Sequence, residues 1–230
     1  MDKSLAFIPA RSGSKRVQNK NIKKLSGKTL IEIAIRNAFD ANFDRVVVAS
    51  DDLDYLALAE SAGAETFLRR RFADDFSPVR DSVIDFINSS NLDGVTGLAL
   101  LLPSSVLFDS SILMNALTIL KNNEVDFVVP VFRSPQPVER SFYLDDGCMV
   151  FNLDKRAMLR RTQDFTPRFF DAGCFSLGSV DSWKEHSISF ASRCYGIELD
   201  TLDFCDIDTL DDLRLCEALL ASGAVLPTWT

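Results

Sequence analysis

The sequence predicts an α/β fold: a Rossmann-like, mostly parallel central sheet flanked by helices, with a small antiparallel arm. Three observations carry this. Strand and helix patterns alternate from residue 5 to residue 68 as β-α-β-α-β. Such alternation implies parallel strands joined by right-handed crossovers. The strand segments are continuous apolar runs, such as Arg45-Val-Val-Val-Ala-Ser50 and Gly97-Leu-Ala-Leu-Leu-Leu102, as strands buried on both faces should be. After residue 137 the pattern loosens into alternation around Asp145-Asp146-Gly147, a hairpin signal.

The first strand, residues 5–8, stops at Pro9, which cannot donate to a ladder. A small basic loop follows. Ser12, Gly13 and Ser14 let backbone N–H groups approach a ligand, and Gly13 can take positive φ. Arg11, Lys15, Arg16 and Lys20 place four cations within ten residues. Backbone donors and cations after a strand suit a polyanion, most often phosphate. Arg grips phosphate through two parallel bonds, and Lys acts as a point charge. The loop is neither a P-loop nor a G-x-G-x-x-G turn.

Residues 28–42 read as a helix with a broad apolar face, preceded by Gly27. The strand 45–50 ends in Ser50-Asp51-Asp52, where Ser50 or Asp51 caps the next helix and Gly63 ends it. Residues 65–68 form a short third strand. Ligands of such sheets bind beyond the carboxyl ends of the strands, so the basic loop and Ser50-Asp51-Asp52 should face one crevice. The segment Arg69-Arg70-Arg71-Phe72-Ala73-Asp74-Asp75-Phe76 is either a loop stitched by local ion pairs or a cover for that crevice. In the second case Arg69 is best placed to reach a ligand.

A helix over 81–90 leads to the most apolar strand, 97–102, which should be central. Asp109 or Ser110 caps a helix, and 126–132 is another strand. The arm, 138–144 and 148–153, either pairs with a second subunit or packs on its own domain. Asp171 and Gly173 interrupt a returning strand over 169–177, where Gly173 marks a bulge or a close approach. His186 is the only histidine and sits in a polar helix, which argues against hydrolases built on a Ser-His or Cys-His pair. Residues 193–199 form the last strand. In the extended run Asp206-Ile207-Asp208, the two carboxylates share a side and Ile207 points inward. Paired oxygen ligands suit Mg²⁺. The other reading, compatible with the first, is that Asp208 or Thr209 caps the final helix over 210–222.

The net charge of −8 confines the basic loop to local positive charge, which suits a small anion and excludes a general nucleic-acid binder. Five cysteines without C-x-x-C spacing read as reduced thiols of a cytoplasmic protein rather than a disulfide frame or zinc site. No signal peptide is visible, and no apolar run is long enough to cross a membrane.

These motifs carry a resemblance. Ile8-Pro-Ala-Arg-Ser-Gly-Ser-Lys15 with Lys20-Asn21 resembles the opening motif of the acylneuraminate cytidylyltransferases, the CMP-sugar synthetases acting on nine-carbon acidic sugars. Ala49-Ser-Asp-Asp52, Phe67-Leu-Arg69 and Asp206-Ile-Asp-Thr209 match the family in order. Arg161-Thr-Gln-Asp164 followed by Phe170-Asp-Ala-Gly173 is most similar to the pseudaminic acid cytidylyltransferase branch. There are departures. Phe170 stands where that branch has His, and Cys174 where it usually has Gln. Leu102 stands where the sialic acid branch has a nucleotide-contacting Gln.

The resemblance implies a nucleotide-diphospho-sugar transferase type of fold, one nucleotidyltransferase domain over 1–230, and a dimerisation arm at about 138–168. It implies CTP bound by Ala10, Arg11, Ser12, Gly13, Ser14, Lys15, Lys20, Asn21 and Arg69, with Arg11, Lys15 and Asp208 catalytic. The acidic sugar falls to Arg161, Gln163 and Asp171, and Mg²⁺ to Asp206 and Asp208. A homodimer follows as well. The alternatives are a cytidylyltransferase for another keto-sugar acid, such as an eight-carbon one, a glycosyltransferase, and a non-catalytic nucleotide-binding relative.

Overall fold

The computed structural model describes residues 2–74, 76–151, 155–185, 191 and 193–230. His186, Asp75 and the 152–153 end of the predicted second arm strand lie outside the described residues. The sheet is built from β1 (Lys3–Pro9), β4 (Arg45–Ser50), β5 (Glu65–Leu68), β6 (Val95–Leu101), β7 (Phe127–Arg133), β10 (Phe169–Asp171), β11 (Phe175–Ser179) and β12 (Cys194–Glu198). In space the order runs β5, β4, β1, β6, β11, β7, with β10 and β12 also paired to β7. β1, β4, β5 and β6 pair in parallel, and β12 is parallel to β7. β10 and β11 run antiparallel to β7. The predicted mixed, mostly parallel sheet is therefore observed, with β6 inside it.

Alternation along β1 divides the core. Ala6 and Ile8 face α1 (Leu30–Asp40), α2 (Leu53–Ser61) and α4 (Ser110–Asn122). Leu5 and Phe7 face α3 (Val79–Ser89) and α5 (Val180–Glu185). All four side chains are 0% exposed, which requires helices on both faces. A third apolar cluster joins α6 (Leu210–Ser222) to Leu25, Leu30, Val106, Ile207 and Trp229. That cluster anchors the aspartate segment.

Several boundaries shift, for local reasons. α1 starts at Leu30, because Thr29 and Glu32 form a capping box. Residues 24–29 form a small hairpin, β2 (Lys24–Leu25) and β3 (Lys28–Thr29), turned at Ser26-Gly27. Asp52, not Ser50 or Asp51, caps α2, accepting from the Asp54 and Tyr55 N–H groups. Asp109 caps α4, as one of the two predicted candidates.

The returning strand breaks into β10 and β11. Gly173 has φ +66°, and its N–H donates to Asp171 Oδ1 at 2.8 Å. The break is wider than a one-residue bulge, since the six steps from Asp171 to Leu177 oppose the three from Val131 to Val128, and a Cβ on Gly173 would meet nothing within 4 Å. β7 tolerates Pro130 because the ladder is already interrupted there, with Ala172 N–H donating to the Pro130 carbonyl. The arm is a separate hairpin, β8 (Phe142–Asp145) and β9 (Cys148–Phe151). Asp146 and Gly147 both take positive φ, +46° and +79°, which the two-residue turn demands. Only the second half of the predicted 138–144 strand is extended, since Val138–Arg140 is a 3₁₀ turn.

Candidate functional site

The basic loop leaves β1 at the carboxyl edge of the sheet, and its backbone is tied at both ends. Ala10 is fully buried and donates its N–H to the Ala49 carbonyl at 2.8 Å. Ser12 donates its N–H (2.9 Å) and its hydroxyl (3.0 Å) to the two oxygens of Asp51. Ser14 N–H returns to the Ser12 carbonyl at 2.9 Å. At the far end Asn21, 5% exposed, donates its side-chain amide to the Arg11 carbonyl at 2.9 Å. Asn21 therefore supports the loop from behind. Gly13 does not take positive φ, contrary to the freedom offered by its residue type. A Cβ there would meet nothing within 4 Å, so the space in front of it is open.

Arg69 belongs to the same site. Its N–H donates to the Ser50 carbonyl at 2.8 Å, which fixes it at the end of β5. The residue is 6% exposed, and its guanidinium donates to the Phe72 carbonyl while Nε has no hydrogen-bond partner. Burial lowers its pKa, Asp51 opposes that shift, and Arg11 adds to it. Arg11, Asp51 and Arg69 thus share one electrostatic neighbourhood. A buried guanidinium with an unused donor suits an anion or a carbonyl-rich ring.

Asp208 meets this loop directly. Lys20 Nζ lies 3.2 Å from Asp208 Oδ1, and Arg16 Nη2 lies 2.8 Å from Oδ2. The neighbouring Ile207 is 1% exposed and donates its N–H to the Ser104 carbonyl at 3.0 Å. Asp206 forms a bridge with Ser105. Ile207 is thus the inward anchor that the alternating pattern predicts. Thr209, not Asp208, caps α6, in a capping box with Asp212. Asp208 N–H also donates to Asp212 Oδ2 at 3.0 Å. Capping leaves the Asp208 carboxylate to the loop. No cluster of three or more His, Cys, Asp or Glu side chains that could hold a metal occurs among the described residues. Asp208 beside the loop, with Asp206 two residues away on the same extended segment, supplies oxygen ligands of the kind that suit an ion completing its shell with water and phosphate, as Mg²⁺ does.

Beyond the end of β7 lies a cavity of about 360 Å³. Arg133, Ser134, Gln136, Gln163 and Arg168 are among the residues lining it. Gln163, one of the residues the resemblance implies for the sugar, lines this cavity, and so do Arg133 and Arg168, which no motif marks. Arg161 does not line it. Its guanidinium forms a two-point pair with Asp164, at 2.8 and 3.1 Å. Asp171 spends one oxygen on the break at Gly173. β7 lies three strands from β1, about 14 Å from axis to axis at the usual strand spacing.

Two thiols close to the site are inert. Burial pushes Cys174 up to about 12, and Cys216 is raised through its contact with Cys205. A thiolate nucleophile is not offered by either. Leu102 packs against the second core cluster and donates its N–H to the Cys174 carbonyl at 3.0 Å. Ser105 donates its hydroxyl to the Gly173 carbonyl at 3.1 Å, which ties the break to the aspartate segment.

Comparison with known proteins comes to the same region of fold space. The family profile described as Cytidylyltransferase matches residues 5–222. A pseudaminic acid cytidylyltransferase of Campylobacter jejuni is 34% identical over 225 residues, covering 94% of this chain and 96% of that protein. An N-acylneuraminate cytidylyltransferase of Escherichia coli is 36% identical over 158 residues, 66% of this chain and 37% of that protein. Among solved structures, a CMP:2-keto-3-deoxy-manno-octonic acid synthetase complexed with CTP superposes with a TM-score of 0.72 at 14% identity. It covers 96% of this chain and 99% of its own. A 4-diphosphocytidyl-2C-methyl-D-erythritol synthase from Anaerococcus prevotii gives 0.66 at 11% identity, covering 95% and 98%. At such identities the structures speak for the fold alone.

Proposed function

The chain belongs to the cytidylyltransferase family, and on that premise we propose that it activates a nine-carbon acidic sugar with CTP, giving the CMP-sugar and pyrophosphate. The observation that carries this reading is the contact of Lys20 and Arg16 with Asp208, which brings the two ends of the chain to one crevice. CTP lies with its phosphates on the 11–20 loop. The anomeric oxygen of the sugar attacks the α-phosphorus. A P–O bond forms there as the bond to the bridging oxygen breaks, and pyrophosphate leaves with the electron pair. The hydroxyl proton is lost to solvent.

Such a reaction needs positioning and charge neutralisation more than an acid or base. Arg11 and Lys15 hold the triphosphate and stabilise the charge that builds on its oxygens. The open backbone at Gly13, with Asp51 and Asn21 holding the loop on either side, shapes the cradle. Lys20 supports the same phosphates, and Arg69 faces the nucleotide from the end of β5. Asp206 and Asp208 would hold Mg²⁺, which supplies a Lewis acid for phosphoryl oxygens when bound. Gln163 meets the sugar in the cavity, with Arg161 and Asp171 near its rim.

The arm supports a homodimer. Each residue of β8 is exposed, including Phe142, Tyr143 and Leu144, and Met149 of β9 is 48% exposed. A contiguous exposed apolar face of this kind marks an interaction surface. The buried thiols Cys174 and Cys216 suit a reducing, cytoplasmic setting. Among the described residues no helix is long and apolar enough to cross a membrane.

The test is pyrophosphate release from CTP with pseudaminic, sialic and legionaminic acids in parallel, with and without Mg²⁺. Metal-dependent release with at least one of them is expected. Binding of CTP without release on any sugar acid, eight-carbon ones included, would leave a nucleotide-binding protein only.

A further inference from the structure

Two of the loop's four cations, Arg16 and Lys20, share one anion. One carboxylate, Asp208, holds Arg16 through Oδ2 at 2.8 Å and Lys20 through Oδ1 at 3.2 Å. The two partners are not equivalent. Lys20 is built in: its side chain is 18% exposed and its N–H donates to the Val17 carbonyl at 3.1 Å. The next residue, Asn21, is pinned to the Arg11 carbonyl. Arg16 has a side chain 69% exposed on the outer flank of the loop. It also contributes to the positive field on Asp212, the residue that holds the Asp208 N–H. Arg16 can therefore leave Asp208 without disturbing the core, and Lys20 cannot do so as easily.

A triphosphate on the loop and the Asp208 carboxylate compete for the same guanidinium. A divalent cation and Arg16 compete for the same carboxylate. We propose that Arg16 is a positioning residue that couples the two binding events. Paired with Asp208, it keeps that carboxylate from taking a divalent cation while the nucleotide is absent. Drawn off by the triphosphate, it leaves Asp208 to the metal when the metal has a reaction to serve. The proposal rests on the reading of Asp208 as a metal ligand. Coupling of this kind is reciprocal: whatever factor the triphosphate adds to metal affinity, the metal adds to triphosphate affinity. The usual strength of an exposed ion pair corresponds to a factor of about two to five in affinity.

Two titrations on the full chain test this, each in a protein shown by its melt to be folded. In the first, Mn²⁺ alone is added without nucleotide, and free Mn²⁺ is followed by electron paramagnetic resonance. Arg16→Gln should bind Mn²⁺ about two- to fivefold more tightly than the parent; equal or weaker binding overturns the proposal. In the second, CTP is titrated in chelator by calorimetry. Asp208→Asn frees both loop cations, so it should tighten metal-free CTP binding severalfold more than Asp206→Asn, which removes the same charge. Equal effects of the two variants overturn it. A protein that released pyrophosphate but showed neither shift would keep the transferase reading and lose the coupling. One that showed both shifts but released none would do the reverse.

Discussion

The two halves of the crevice are held in different ways. Around the basic loop, side chains are fastened to carboxylates and to one backbone carbonyl that lie from 10 to 188 positions away in sequence. Ser12 is tied to Asp51, Asn21 to Arg11, and Lys20 to Asp208 across 188 positions. Arg69 is 6% exposed. Around the cavity the ionic contacts lie on exposed segments, whatever their separation in sequence. Arg161 pairs with Asp164 three residues away, and its side chain is 73% exposed. Arg168 reaches Glu139 at 3.5 Å with a side chain 56% exposed. On the proposed reading, the core preorganises the phosphate chemistry, while the sugar meets a more exposed surface beside the arm. The difference teaches that the two halves should respond differently to mutation.

That contrast can be broken by mutation. The largest effect belongs to the nucleotide side. Lys15→Ala and Asp208→Ala should each cost more than about 10²-fold in pyrophosphate release, the usual loss for a transition-state contact, with unchanged circular dichroism. Near-normal turnover in both would remove the site assignment. Next comes the support of the loop. Asp51→Asn gives up charge-assisted bonds to Ser12 and should weaken CTP binding by about tenfold in calorimetry. A protein with unaltered affinity would show that the loop needs no fastening.

On the sugar side, Gln163→Ala should raise KM for the sugar by roughly three- to tenfold and leave CTP affinity unchanged. If CTP binding fell in parallel, the two halves would not be separate. The smallest effect concerns the cap beneath Asp208. The Asp212 carboxyl is held below the usual carboxylate range, first by the Thr209 hydroxyl, then by the Thr209 and Asp208 N–H groups and by Arg16. Its folded pKa lies below its unfolded value of about 3.9. The stability it contributes is therefore present above about pH 4 and is lost as pH falls through the folded value. Melts between about pH 5 and 2.5 should show a steeper fall for the parent than for Asp212→Asn.

The sequence made some of this legible and not the rest, for physical reasons. β4 and β5 fall where continuous apolar runs bounded by turn residues put them, and α6 matches the predicted 210–222. Ile207 points inward as alternation requires. Strand ends brought only the basic loop and Ser50-Asp51-Asp52 to one crevice; the meeting of the loop with Asp208 was implied by the family resemblance. What stayed hidden were choices among equivalent local partners. Ser50, Asp51 and Asp52 can all cap a helix, and only the fold shows that Asp52 does so while Asp51 is spent on Ser12. Arg161 has an acidic neighbour at the i,i+3 spacing of a turn, which takes the guanidinium its motif offered to the sugar. Arg133 at the end of β7 and Arg168 just before β10 come together because those strands pair and the Ser134 N–H donates to the Arg168 carbonyl, a contact with no local spacing signal.

The account depends most on the claim that the basic loop and the aspartate segment serve one triphosphate. A double-mutant cycle tests it directly. Pyrophosphate release is measured for the parent, Lys15→Ala, Asp208→Asn and the two together. Groups acting on the same phosphates should give a double variant little worse than the poorer single one. Losses that multiply, as though the two residues worked at separate places, would contradict it.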